Sequence, residues 1–453
     1  MSKSIEKMPE VPLWVKTNFE QYERALNGEQ SSAIHALRKQ AYDFFIAKGM
    51  PTAKNEDWKY TSLSNLSSGT YKLSQLTPAV SLREEALAAY LITAHKNIRM
   101  VFCDGRFSPE LSTLIPGKSA IGGVEVKPYK SFLEDYREGP DLNLTIDPKE
   151  NKFESSQPII ALNTTFFQDG IRITIEQSTK VKEVIQLIFI NSDRSDAVFQ
   201  TPRILIEAAQ GCDVNIVESY IGLGKSNSLS MPLTEMIVKE NAHVGLHKII
   251  LEGEAACLLG NTLVRQDRDS RVSLNLISFS GKLIRNEVRL TLNGANCNSS
   301  INGLTVIDED QHVDNHTVID HAKPHCESRE KIKGIYGDKS KGVFNGTIIV
   351  RENAQKTNAL QSNQSILLSP DATIDTKPQL KIWADDVKCT HGATVGQIDE
   401  DALFYLRSRG LDKKTARDLL IKAFASDVIT EIENEPLRTY LSALLEKRLE
   451  TLN

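Results

Sequence analysis

The chain has 453 residues, enough for two or three domains and a large core. Charged residues make up 25% and the net charge is −5, which excludes a nucleic-acid binder working through a global basic surface. No stretch approaches the ~20 continuous apolar residues of a membrane span. The opening Met1-Ser2-Lys3-Ser4-Ile5-Glu6-Lys7 lacks the apolar core of a signal peptide. The six cysteines (103, 212, 257, 297, 326 and 389) include no CxxC pair. Reduced thiols in the cytoplasm are therefore expected rather than a disulfide framework.

Residues from about Asn18 to Lys48 read as helical. Ser31 and Ser32 offer caps after Gly28, and Ile34, Leu37, Ala41, Phe44 and Phe45 recur at helical spacing. Gly49 and Pro51 stop the helix. Asn55-Glu56-Asp57-Trp58-Lys59-Tyr60-Thr61 reads as an exposed loop anchored by its aromatics, with Trp58 packing on the helices. Ser81 to His95 is a further short helix carrying Leu87, Tyr90 and Leu91. Met100 to Phe107 predicts a hairpin turning on Asp104-Gly105. Residues 125–157, rich in charge, Pro and Gly, read as linker or irregular surface.

From about Ile159 to Gly396 short β-rich runs dominate, such as Ile171–Ile175, Val184–Ile190 and Ile204–Ile206. A turn motif recurs in which Gly, Asn, Asp or His is usually followed by a small residue. Its first residues stand at 211, 241, 269, 294, 321, 353, 371 and 392, so the spacing runs from 18 to 32 positions. A strand-only repeat of this size predicts a β-solenoid whose coils bury their apolar faces on one another. An antiparallel β-sandwich is the competing architecture.

After Gly396 the period becomes helical. Asp399 caps a helix ended by Gly410. Asp412 caps a second, with Ala416, Leu419, Leu420, Ala423, Phe424 and Val428 on one stripe. Pro436 opens a third through Leu449. These helices serve either as a lid or as a docking module, and both readings stand on periodicity alone. The expected organisation is an N-terminal helical domain over 1–97, a mixed connecting region over 98–158, a β core over 159–396 and a C-terminal helical domain over 397–453.

Two constellations could carry chemistry. The densest histidine cluster runs from His312 and His316 through His321 to His325 and Cys326. On a strand, His312 and His316 stand about 13 Å apart by rise, too far to chelate one ion, so polar side chains on the flank of the β body are expected. The stronger candidate is Lys388-Cys389-Thr390-His391-Gly392-Ala393-Thr394. On a strand Cys389 and His391 share one face, roughly 6.5–7 Å apart, and a thiolate and an imidazole suit iron, zinc or sulfur chemistry. The bland alternative is a buried Cys beside a surface His. No Walker A, Rossmann, G-x-S-x-G or HExxH motif is present, and the carboxylates of the β region are dispersed in turns. A self-contained enzyme is not expected, and a β-helix enzyme acting on carbohydrate is the rival from that class.

Several stretches together resemble the SufB/SufD family of iron–sulfur cluster assembly scaffolds. They are Asn55–Thr61, Gly342-Val343-Phe344-Asn345-Gly346, Asp375-Thr376-Lys377-Pro378-Gln379-Leu380, Ala384 through Gly396, and Leu403 through Gly410. They occur in the expected order from about residue 50 to the C-terminus. Gly392 stands where SufB carries Glu, and Asn358–Leu368 lacks SufB's sulfur-accepting Cys, so the resemblance is to the SufD branch. It implies a right-handed parallel β-helix flanked by N-terminal and C-terminal helical domains, in complex with SufB and the ATPase SufC. It further implies that His391, and less strongly Cys389, face SufB ligands around transient iron or a nascent iron–sulfur cluster, with nothing bound stably by this chain alone. The C-terminal helices would dock SufC, with Leu403, Phe404, Leu406, Leu419, Leu420 and Phe424 as candidate contacts. A partner of SufB that contributes no ligands is the alternative within this class. Self-pairing in the absence of SufB and binding of a reduced flavin are left open, and no motif speaks to either.

Overall fold

The structure is a computed structural model that describes residues 11–26, 33–92, 98–117, 122–129, 157–167 and 169–452. Its body is a parallel β-solenoid of about eight coils built from two facing sheets, one of 12 strands and one of 10. The chain alternates between them. Cys257–Gln266 lies in the first sheet, Arg271–Ser280 in the second and Leu283–Leu292 in the first again. Cys257 aligns with Leu283 and Lys341 with Thr373, so from Cys257 onward a coil of the first sheet takes 26 to 32 residues. Alternate side chains enter the interior, where Ile, Val and Leu of successive coils stack in one continuous core.

The recurring turn is a corner of this solenoid. Gly211, Asn241, Asp269, Asn296, His325 and Lys356 all sit in the left-handed region, with φ between 55° and 70°. Each amide donates to a carbonyl of the next coil, from Gly211 to Glu240 through Lys356 to Asp386, at 2.7–3.2 Å. Gly, Asn and Asp reach this conformation most cheaply. The following residue is small and buried: Cys212, Ala242, Ser270, Cys297, Cys326 and Thr357. The shortest predicted spacings arose because Asp371 belongs to the turn entering the first sheet while Gly392 lies inside the strand Lys388–Gly396. The sandwich alternative is excluded by the parallel pairing.

The solenoid begins earlier than the expected boundary at 159. Ile98–Cys103 is already a strand of the second sheet, parallel to Ile185–Ile190. Asp104-Gly105 turns it into the predicted hairpin with Arg106–Phe107. Of the expected helix Ser81–His95, the described residues 81–92 hold a short 3₁₀ helix, Glu84–Tyr90. The caps at Ser31 and Ser32 and most of 125–157 lie outside the described residues.

Helices cover the outer faces of the two sheets. Leu13–Ala25, Ala33–Lys48 and Gln157–Phe166 pack Trp14, Phe19, Phe45 and Phe166 with Phe199, Leu229 and Leu259 of the first sheet. Lys413–Ile429 and Glu435–Thr451 pack Ile421, Val428, Leu437 and Leu441 on Val217, Ile249, Ile277, Leu304 and Ile335 of the second. No described helix is long and apolar enough to cross a membrane.

Buried titratable groups make stability pH-dependent. Glu252 accepts bonds from Asn191 Nδ2 at 2.8 and 2.9 Å, yet burial pushes its carboxyl up to about 7. The folded state therefore holds a proton that the unfolded chain has released, and Glu252 withdraws stability as pH rises from about 4.5 to 7. Burial acts oppositely on the imidazoles, pushing His247 down to about 3 and His312 and His321 to about 4. Their contribution is lost as pH falls below 6.5. Glu252→Gln is expected to steepen the gain in stability between pH 5 and pH 8 by roughly 2–3 kcal/mol. Urea unfolding at both pH values measures this, and parallel curves for the two proteins would refute it.

Candidate functional site

The solenoid ends on an uncovered coil. Its two strands, Thr373–Ile382 and Lys388–Gly396, terminate their sheets and pair on one side only, with Lys341–Val350 and Asn358–Leu367. Lys388–Gly396 is almost wholly exposed and Thr373–Ile382 mostly half-buried, in contrast to the buried strand Lys341–Val350 behind them. Cys389 and His391 align with Ala359 and Gln361, whose side chains are interior. Both therefore project toward the mouth of the solenoid, on one face as the strand period requires. Cys389 is half-buried, packs against the core, and has its thiol pushed up by burial. His391 is exposed.

No group of three or more His, Cys, Asp and Glu side chains able to hold a metal ion occurs among the described residues. Cys389 and His391 therefore make no group of three with other such side chains among the described residues. A Cβ at Gly392 would meet nothing within 4 Å, so this fold does not itself require glycine there. Leu360, Ile382, Trp383 and Val395, in the last two coils, are exposed apolar side chains, with Trp383 60% exposed.

Polar groups that periodicity did not single out lie behind His391. Gln361 Nε2 donates to Glu330 Oε2 at 2.6 Å, and burial pushes the Glu330 carboxyl up. Among the described residues, Gln361 Oε1 and Asn363 Oδ1 are buried without a hydrogen-bond partner. The glycines of Gly342-Val343-Phe344-Asn345-Gly346 make room here. A Cβ at Gly346 would stand 2.4 Å from Gln361 Nε2, and one at Gly342 would stand 2.4 Å from the Tyr336 ring. The available signal was polar residues at interior phase, readable only once strand register is known.

In the Asn55–Thr61 segment Trp58 joins the buried cluster of the N-terminal helices, as expected, and the segment reaches further. It straps the outer face of the first sheet. Trp58 is buried with the Arg285 guanidinium 4.0 Å from its ring centre. Thr61 Oγ1 donates to Asp314 Oδ2 at 2.5 Å and contacts His312 Nε2 at 3.1 Å, and Asp57 lies 3.8 Å from His316. Glu56 pairs with Lys377, and Lys341 Nζ donates to the Tyr60 carbonyl at 2.9 Å. The histidine cluster is divided accordingly. His312 and His316 lie under the strap, His321 bonds Ser328 at 2.9 Å, and His325 occupies a corner.

The expected apolar stripe of the second C-terminal helix is rotated. Its buried face is Ala416, Ile421, Ala425, Val428 and Ile429, because these meet the second sheet, while Leu419 and Ala423 are exposed. Of the candidate docking residues, Leu403 is only 5% exposed and belongs to internal packing. Leu406 is half-buried. Leu420 and Phe424 line a cleft of about 330 Å³ against Thr394 and Gly396 of the last strand. Phe404 and Leu419 are freely exposed, and Tyr405 joins them. The predicted caps hold: Asp399 accepts from the amides of Asp401 and Ala402, and Asp412 from Thr415.

The described residues thus form an open-ended solenoid with helices on both faces and a Cys–His pair on its last strand. The profile for the SufBD core domain of SUF system FeS cluster assembly matches residues 189–424, and the SufBD N-terminal region matches 15–187. The chain belongs to the SufBD family. Within it the chain is SufD-like. It is 30% identical to the iron–sulfur cluster assembly protein SufD of Escherichia coli, over 89% of this chain and 90% of that protein. It is 31% identical to a SufBD family protein of Synechocystis, over 90% and 89% of the two chains. Against the chloroplastic protein ABCI7 of Arabidopsis thaliana it is 29% identical, over 92% and 87%.

Proposed function

We propose that this chain is a non-catalytic scaffold half for iron–sulfur cluster assembly in the cytoplasm. The observation that carries the reading is the terminal coil, with two bare strand edges and two ligand-type side chains at its mouth. A cluster needs about four protein ligands, and a second solenoid of the same family, SufB, supplies both the missing strands and the missing ligands. Iron and sulfide are cargo at that junction. The exposed Phe404, Tyr405 and Leu419 form the apolar face offered to SufC, whose nucleotide cycle then acts on the neighbouring last strand.

The Lys388 amide donates to the Thr357 carbonyl. Alternation along a parallel strand then turns the amides of Cys389, His391, Ala393 and Val395 toward the open edge. Ala393→Pro removes one of them without touching the inner ladder. It is expected to abolish co-purification with SufB while leaving SufC bound. Phe404→Asp with Leu419→Asp is expected to do the reverse. Pull-downs from co-expression read both results, and retention of SufB by Ala393→Pro would rule out pairing through this edge. Deleting 397–453 is a poorer test, because it uncovers the apolar outer face of the second sheet.

A further inference from the structure

Cys297 and Cys326 occupy the same small buried corner position in successive coils. The Glu327 amide donates to the Cys297 carbonyl at 2.9 Å, and Asn298 aligns with Glu327, so the two cysteines are direct neighbours across the ladder. Adjacent strands lie about 4.8 Å apart, inside the Cα separation of about 4.4–6.8 Å that a disulfide spans. The Cys297 thiol lies 3.2 Å from the carbonyls of both Gly294 and Asp267, and the Cys326 thiol has the Gly294 carbonyl, at 3.3 Å, and the Cys297 sulfur as competing acceptors for its one hydrogen. Ser270 Oγ donates to Cys297 Sγ at 3.8 Å.

The environments of the two sulfurs differ in a useful sense. The Cys326 hydrogen bond, helped by Ser270, holds the Cys297 thiol down at about 7, while Cys326 is pushed up as the donor. Cys297 also borders a polar groove of about 430 Å³ that includes His243, Arg271 and Asn298. The same groove carries Asp269 and Glu327. Cys103, Cys212 and Cys257 have no such donor and are pushed up to about 12, 11 and 12, chiefly by burial.

We propose that Cys297 and Cys326 are a peroxide-responsive thiol pair that closes into a cross-coil disulfide. The Cys297 thiolate attacks one peroxide oxygen and the O–O bond breaks. The leaving hydroxide takes a proton and departs as water, with Cys297 left as a sulfenic acid. The Cys326 sulfur then attacks the Cys297 sulfur. The S–O bond breaks, and the Cys326 proton leaves with the hydroxyl as a second water. Two thiols lose two electrons in total and one peroxide is reduced to two waters. The bond ties together two coils of the solenoid wall, two coils before its mouth, and a dithiol reductant reopens it.

The test uses the full-length protein treated with hydrogen peroxide, then blocked with N-ethylmaleimide under unfolding conditions and digested with trypsin without reduction. Lys323 precedes Pro324, so both cysteines fall in one peptide, 290–329. The expected result is an unalkylated peptide lighter by about 2 Da, restored by dithiothreitol, with Cys103, Cys212 and Cys257 still alkylated. Cys326→Ser is expected to stop at a sulfenic acid on Cys297 that dimedone traps. The corner tolerates this change, since Ser270 holds the same position in another coil. Full alkylation of both cysteines after peroxide would overturn the proposal, as would absence of dimedone label on Cys297 in the variant.

Discussion

Replacing Arg285 by methionine is expected to destabilise the protein by about 3–5 kcal/mol, the range found when one member of a buried ion network is removed. Arg285 is fully buried and pairs with Asp314 and, at 2.7 Å, with Glu287. His316 Nδ1 completes the cluster at 2.5 Å from Glu287. Burial pushes the Glu287 carboxyl up, but His316 and Arg285 together outweigh it and hold the group at about 2. Without the guanidinium two carboxylates remain buried with too little counter-charge, and Trp58 loses the cation against its ring. The expected signature has two parts: a lower urea midpoint, and faster proteolysis within residues 55–61 under native conditions. A drop in stability without faster cleavage there would show that the strap is held by its other contacts.

His391→Ala carries the largest functional effect. Cluster formation by the assembled complex with SufB and SufC is expected to fall on the order of tenfold or more, with little change in thermal stability, because the side chain is exposed and touches no core. Iron and acid-labile sulfide in the purified complex, set beside its melting temperature, separate the two outcomes. Cys389→Ala is expected to cost less cluster and more stability, since this thiol packs on the core and burial disfavours its thiolate. Unchanged iron and sulfide in His391→Ala would remove this residue from the ligand set.

Much of this architecture is legible in the amino-acid order, and the failures have physical causes. Asp104-Gly105 identified its hairpin because a two-residue turn depends on those residues alone. Asp399 and Asp412 identified helix starts for the same reason. The solenoid corner was visible at Gly211, Asn241 and Asp269, where residues tolerant of positive φ recur. It was blurred at His325 and Lys356, where neighbouring coils impose that conformation on residues that do not prefer it. Trp58 was placed on the helices, but its contact with Arg285 was not visible because that residue lies more than two hundred positions away. The stripe of the second C-terminal helix was misphased because Leu419 and Ala423 are as apolar as the residues that meet the sheet. Cys389 and His391 were singled out from a two-residue spacing. Glu330 and Gln361 were not, because their shared column emerges only from long-range register.

A solenoid is nearly a one-dimensional object in which each coil draws its stability from the two beside it. Among the described residues the last coil has one strand neighbour in each sheet, with Glu56 paired to Lys377 and Leu420 and Phe424 beside Thr394 and Gly396. Opening free energy therefore declines along the axis toward the mouth, and Lys388–Gly396 frays before any other strand of its sheet. Hydrogen exchange should register this as a gradient, fastest at residues 388–396. Adding a strand to that edge supplies the absent neighbour, so the order of the coil bearing Cys389 and His391 and the presence of a bound edge are two readings of one equilibrium.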